Sequence, residues 1–507
     1  MKLGALLTQA KIPVPAGAAD LVVRAIAYDS RAVKEGSLFV AIPGFHRDGA
    51  DFVPDAAKNG AVAVVAEKKV RSGLPVAVAP DVRAALADLA VEFFDHPTSK
   101  LKVVGVTGTD GKTTTVHLVS DVLEAAGERT GYATTVDFKL TDHLWENDTR
   151  QSTQEAIEVQ EFCAELLVAG GTWGVLEATS HALALRKMRG VDIDIAVFTN
   201  LTPEHLDFHG TLQAYLEAKG LLFEMLSLGR DKGVPKTAVL NADDPHWRYL
   251  ADRAAGAADR AAGVRVITYG IDALADVQAT ILSEDANGSR VKIAAGDDNV
   301  EFRLPLVGRF NVQNALAAAG AGLAAGATLT QVRDALARAT PVRGRMDRID
   351  AGQPFSVIVD YAHTPESLEK VLALLRSLTA GRLIAVFGSA GERDRTKRPK
   401  LAAAAARYAD HFVITQEDPR LEDPAAILAE IEAGALEAGK RRDRDYQVID
   451  DRTAAINAAI AVAAEGDTVL LAGKGHEGSI IVGEEKRPWD EAGAARAALR
   501  ARGFAAS

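Results

Sequence analysis

The chain has a single cysteine, Cys163, among 507 residues. An internal disulfide is therefore excluded, and a reducing compartment is expected. Long apolar runs are also missing. Nothing approaches the roughly 20 residues that cross a bilayer, and the alanine-rich stretch 315–327 is too short and too rich in glycine. Residues Met1 to Asp20 lack the apolar core of a secretory signal. An excess of positive charge is absent as well: the net charge is −11 and the pI about 5.6. A nucleic-acid binder usually needs a basic face, so that class is disfavoured. These absences lead us to expect a cytoplasmic protein with no membrane span and no nucleic-acid partner.

What is present is apolar mass, 48% of residues, enough for several cores. At ~100–200 residues per domain, three domains are expected. The first unit holds β-type runs at 37–41 and 61–65. It closes with a helix whose Val82, Leu86, Leu89 and Phe93 share one face. Asp95-His96-Pro97-Thr98-Ser99 then reads as a linker. A second boundary falls near Arg343, where a polar, basic segment begins. Beyond it, β-type runs at 357–359, 383–387, 412–414, 446–449 and 468–471 alternate with helical stretches. That alternation predicts a parallel sheet covered by helices, with ligands at the carboxyl ends of its strands.

The middle unit opens on a buried-type strand, 101–106, then Gly108-Thr109-Asp110-Gly111-Lys112-Thr113-Thr114, then a helix to about Ala126. Strand, glycine turn, Lys-Thr and helix together cradle a polyphosphate. Main-chain N–H groups at the helix start point at the anion, Lys112 neutralises it, and the Thr113 hydroxyl suits a magnesium ion. The strict spacing of such loops wants glycine where this chain has Val106, so the loop is a variant. A tight turn before an ordinary helix is the alternative; the preceding buried strand favours phosphate. Further β-type runs at 173–176 and 195–199 lead into Glu177-Ala178-Thr179-Ser180-His181 and into Asn200-Leu201-Thr202-Pro203-Glu204-His205-Leu206-Asp207-Phe208-His209. Alone, Glu177 reads as a solvated acid. The two histidines and two acids of the second stretch suit a metal or phosphate role. Lys219, on the helical stretch 215–219, reads by itself as a solvated lysine. The expected fold is α/β with three domains: a small N-terminal α/β domain at 1–97, a central P-loop ATP-binding domain with a mostly parallel sheet at 98–341, and a C-terminal Rossmann-like domain at 342–507.

Taken together, these segments resemble the Mur ligase family over essentially the whole chain. The marks are G-T-D-G-K-T-T at Gly108, N-L-T-P-E-H-L-D-F-H at Asn200, A-K at Ala218 and N-A-D-D at Asn241. They continue with G-R-F-N-V-Q-N at Gly308, G-R-M-D at Gly344, D-Y-A-H-T-P at Asp360 and G-K-G-H-E at Gly473. D-S-R at Asp29, G-F-H-R-D-G at Gly44 and E-A-T-S-H-A-L at Glu177 are similar to the UDP-N-acetylmuramoyl-tripeptide synthetase branch. The resemblance implies an ATP-dependent acid–amino-acid ligase of peptidoglycan synthesis, a monomer. It would add a third, diamino acid to UDP-N-acetylmuramoyl dipeptide through an acyl phosphate.

The same resemblance implies residue roles. Lys219 matches a lysine carbamylated by carbon dioxide, and with Thr113, Glu177 and His205 it would hold Mg2+. Asn311 and Asn314 match residues near the adenine; Arg345 and Asp360 match those at the ribose and phosphates. Ser30, Gly44 and His46 would hold the uridine nucleotide, and Ser152, Thr153, Thr179 and Lys187 the muramoyl peptide. Arg393, Gly473 and Glu477 match positions for the incoming amino acid, and Glu417, Asp418 and Arg420 occupy its specificity motif. That motif reads E-D-P-R here where meso-diaminopimelate enzymes read D-N-P-R. Arg420 suits a distal carboxylate, and the two acids suit the bare ammonium of lysine or ornithine; diaminopimelate is favoured. Lys187 stands where the family aims an arginine at substrate, with Arg186 beside it. The competing expectations are another Mur-type or folylpolyglutamate-type ligase, a non-catalytic nucleotide-binding protein, and a motor or transporter NTPase.

Overall fold

The computed structural model describes residues 1–44, 47–149, 151–256 and 263–504; His46, expected at the uridine nucleotide, lies outside them. Three main sheets each carry their own core. The first is four-stranded and wholly parallel, in the order Ala25–Ala27, Ser37–Val40, Ala61–Ala66, Val76–Val78. The helix Val82–Phe93 covers it, its first turn closed by Asp81, whose carboxylate accepts from the Ala84 N–H. The same helix packs on Ala156–Val168 of the middle region, and Ile157 from there belongs to the first sheet's apolar core.

The second sheet has 11 strands. Its centre is parallel because its strands are continuous apolar runs buried on both faces. Lys102–Thr107 lies between Trp173–Glu177 and Ile195–Phe198, so the loops leaving all three strands open side by side. Antiparallel pairings extend both edges: Asp137–Leu140 and His143–Glu146 on one side, and on the other Gly288–Ala295 and Asp298–Leu304 beyond Val277–Asp285, which itself joins the sheet parallel to Arg265–Gly270. The third sheet runs Asp347–Arg348, Ser356–Asp360, Thr468–Ala472, Leu383–Phe387, His411–Ile414, Tyr446–Val448, parallel except for its first strand. Among the described residues no apolar core spans the second and third sheets. Their junction is polar: Lys370 with Asp110, Arg343 with Glu146, and Arg348 with Asn287.

Candidate active site

The loop after Lys102–Thr107 is held from outside by the neighbouring strand end. Asn200 Oδ1 accepts from the Asp110 N–H at 3.0 Å, Thr199 Oγ1 donates to the Asp110 carbonyl at 2.7 Å, and the Thr109 N–H donates to the Asn200 carbonyl. Two glycines are required here. Gly108 has φ 151°, and a Cβ on it would sit 1.8 Å from Thr199 Oγ1. Gly111 has φ 82°, and its Cβ would fall 2.2 Å from Asn314 Oδ1. The helix Lys112–Ala125 starts at once and aims its N-terminal dipole into the space above the loop.

That space is a cavity of about 640 Å³ between the second and third sheets. It collects most of the nucleotide and metal candidates: the whole loop from Gly108 to Thr114, Glu177, His205, Lys219, Asn311, Asn314, Arg345 and Asp360, with Ser152 and Thr179 at its wall. Glu177 is buried, contrary to the solvated acid its isolated position suggested, because it ends a central strand. Its Oε2 accepts from Thr113 Oγ1 at 3.0 Å and from the N–H and hydroxyl of Thr135 at 3.1 Å each. Lys219 is likewise buried rather than solvated. Its Nζ donates to the Gly108 carbonyl at 2.6 Å and lies 4.2 Å from the Tyr215 ring centre. Burial, then the charge of Lys112, pushes its ammonium well below the ordinary lysine range. Lys112 itself donates to the carbonyls of Thr109 at 2.7 Å and Gly108 at 3.2 Å.

His205 takes a left-handed conformation, φ 56°. It packs with His181, ring centres 4.6 Å apart, and its Nε2 lies 3.7 Å from the Glu204 carboxylate. Burial lowers its affinity for a proton, and burial brings His181 down to about 4, so both rings are neutral bases near pH 7. On the opposite wall, Asp360 accepts from the N–H groups of Met346 and Ala362, and burial raises its carboxyl. Arg345 stacks over Tyr361 at 4.5 Å, with its Nε buried and unpartnered. Asn311 donates to the Val307 carbonyl, and Asn314 to Asn311 Oδ1.

The remaining candidates lie in three places. Thr153 donates to the Glu177 carbonyl at 2.8 Å and lies 3.3 Å from the Thr179 hydroxyl. Lys187 joins them through the Thr153 carbonyl, Gln151 and Glu155, whereas Arg186 is turned away onto Asp81 at 2.6 Å. Ser30 and Gly44 are on the first sheet's loops, away from this cavity: the Ser30 carbonyl accepts from Asn59, and the Gly44 N–H donates to Arg47. At the carboxyl ends of the third sheet's strands, buried Lys474 bridges Asp418 at 2.9 Å and Glu477 at 2.5 Å. Glu417 Oε2 and Arg420 Nε are buried without partners there, and Gly473 packs against the Glu417 carboxylate. Arg393 is exposed on the neighbouring loop. The reading by residue missed Asn200, Tyr215 and Lys474, although all three lie in or beside the quoted motifs. It also missed Lys370, which had no sequence signal.

Three family descriptions match: "Mur ligase family, catalytic domain" over 22–93, "Mur ligase middle domain" over 106–322 and "Mur ligase, glutamate ligase domain" over 344–475. A UDP-N-acetylmuramyl-tripeptide synthetase of Roseiflexus sp. is 50% identical over 491 residues, 95% of each chain. The chain belongs to the Mur ligase family, in its tripeptide-synthetase branch. It is accordingly an ATP-dependent ligase that makes a peptide bond. A UDP-N-acetylmuramoyl-L-alanyl-D-glutamate–2,6-diaminopimelate ligase of Geobacillus thermodenitrificans is 44% identical, covering 96% of each chain. A solved structure of a ligase of that same name superposes with TM-score 0.67 at 31% identity, over 99% of this chain and 100% of that one. The MurF ligase of Thermotoga maritima in complex with ADP, TM-score 0.63 at 21% identity over 89% of this chain and 94% of that one, shares the fold. Membership of this family sets aside the motor, transporter and non-catalytic alternatives.

Proposed function

We propose that this ligase joins a diamino acid to the D-glutamate carboxylate of UDP-N-acetylmuramoyl-L-alanyl-D-glutamate, with meso-diaminopimelate ahead of L-lysine and L-ornithine. The reading places it in the cytoplasm as a monomer, with nucleotide-sugar, ATP and amino-acid roles for residues 1–97, 98–341 and 342–507. The observation that carries it is the gathering of Thr113, Glu177, His205 and Lys219 with the phosphate loop around one cavity.

Lys112 and the N–H groups of residues 108–114 hold the polyphosphate. A substrate carboxylate oxygen attacks the γ-phosphorus, the β–γ bridging P–O bond breaks, and ADP leaves. The amine nitrogen then attacks the acyl carbon and loses a proton. The C–O bond to phosphate breaks, and inorganic phosphate leaves. No protein nucleophile is required; the chain orients reactants, offsets charge and excludes water.

The donor set fits Mg2+. Thr113, Glu177 and a carbamylated Lys219 would supply hard oxygens and His205 a neutral nitrogen; the bound ion would supply charge neutralisation at the phosphates. Lys219 fits carbamylation because burial disfavours its charged form, and the free amine is the form that adds carbon dioxide. Arg420 and the unpartnered buried oxygen of Glu417 favour an amine substrate bearing both a carboxylate and an ammonium at its far end.

The test is a ligation assay with the nucleotide dipeptide, ATP and each of the three amino acids. Strong preference for lysine or ornithine would remove Arg420 from the account. Lys219→Ala should lose activity and regain part of it with added short carboxylates; full activity without them would remove the carbamate.

A further inference from the structure

The helix Pro365–Leu378 of the third sheet turns one face to the nucleotide cavity. Thr364 at its cap, then Ser367, Lys370, Val371 and Leu374, recur at helical spacing and all line that space. Lys370 carries the only charge in this set. Its Nζ reaches Asp110 Oδ2 at 3.2 Å, across the polar junction.

Asp110 is the only acid between Gly108 and Thr113. Its main chain is fixed on the far side by Asn200 and Thr199. Lys112 donates to the carbonyls of Gly108 and Thr109, so it is Lys370 that meets the Asp110 carboxylate. An acid in a loop built to receive a polyphosphate opposes it by like-charge repulsion, and a cation at 3.2 Å offsets much of that.

We propose that Lys370 is a positioning residue for the nucleotide: by holding Asp110 it cancels the negative charge the phosphate loop presents to an incoming polyphosphate, and it seats the third sheet's helix above that loop. The inference rests on the nucleotide site described under the proposed function. Both side chains are about half exposed, at 48% and 43%. Solvent screens the pair, so its effect on nucleotide affinity is modest, about two- to fivefold.

The experiment is calorimetric titration of the full-length chain with a non-hydrolysable ATP analogue and magnesium, at low and at high salt. Lys370→Met should weaken binding about two- to fivefold at low salt, with a smaller effect at high salt. Lys370→Arg should keep the parent affinity. Adding Asp110→Asn to Lys370→Met should bring affinity back toward the parent, because the charge to be cancelled is gone. Lys370→Gln serves if the Met variant does not fold, and unchanged melting curves show that each variant is intact. Parent-like affinity in Lys370→Met and Lys370→Gln, or further weakening on adding Asp110→Asn, overturns the pair. A parent chain that binds no analogue overturns the nucleotide site itself, a distinguishable result.

Discussion

The Thr113 hydroxyl donates to Glu177 Oε2 at 3.0 Å, joining the first turn of the phosphate-loop helix to the end of the adjacent strand. The pair brings two oxygen donors together where the helix dipole is positive. Thr113→Val and Glu177→Gln should each lower ATP consumption about 100-fold or more, the scale of removing one preorganised charge-stabilising group. Thr113→Ser keeps the hydroxyl and should stay within about tenfold. ADP release with all substrates present checks both.

Lys187 and Arg186 are neighbours in sequence but face different partners. Lys187 lies with Gln151, Thr153 and Glu155, while Arg186 binds Asp81. Lys187→Met should raise KM for the nucleotide peptide about tenfold, the weight of a lost charge-assisted hydrogen bond. Arg186→Met should leave that KM near the parent value. Steady-state kinetics with the nucleotide peptide as varied substrate separates the two.

The buried Arg452–Glu491 pair, 2.6 Å apart, supports the third sheet beneath the loops that follow Thr415 and Ala472. Arg452 also donates to the carbonyls of Gln416 and Ala472. Glu491→Ala leaves a buried cation unpaired and should cost about 3–5 kcal/mol. Replacing both residues with apolar ones of similar volume should recover much of the loss. Thermal melts of the single and double variants measure it.

His181 gives a stability dependence on pH with a definite sign. Its folded value, about 4, lies below the ordinary 6.5, so the unfolded chain takes up the proton first as pH falls. The contribution is full above about 6.5 and is lost as pH drops toward about 4. His181→Gln should therefore show a shallower fall in melting temperature than the parent between pH 7 and pH 4.5. Equal slopes would remove His181 from the acid response.

Much of this was legible in the chain. The strand Leu383–Phe387 and the run 173–176 ahead of Glu177 are uninterrupted by polar residues because helices cover both their faces. The antiparallel extensions were not legible. Val277–Asp285 buries little beyond Val277 and Ala279, and its charged outer half resembles a loop. The burial of Lys219 was readable but missed. Tyr215, Leu216, Leu222 and Phe223 lie three and four residues either side of it and all are buried, so the lysine had to lie on the apolar face. The pairing of Lys370 with Asp110 is purely tertiary, 260 residues apart.

The two junctions between the sheets differ in kind, and this implies a division of labour. Ile157 carries the first sheet's core into the second, and Tyr28 reaches Glu158 across the same seam. An apolar seam is costly to part, so these two sheets stay together as one platform. The other seam is made of ion pairs and hydrogen bonds that water can replace at little cost. The third sheet is thus the part that can lift away: it supplies one wall of the cavity, and on the assignment proposed above it would bring the amine with it when it docks.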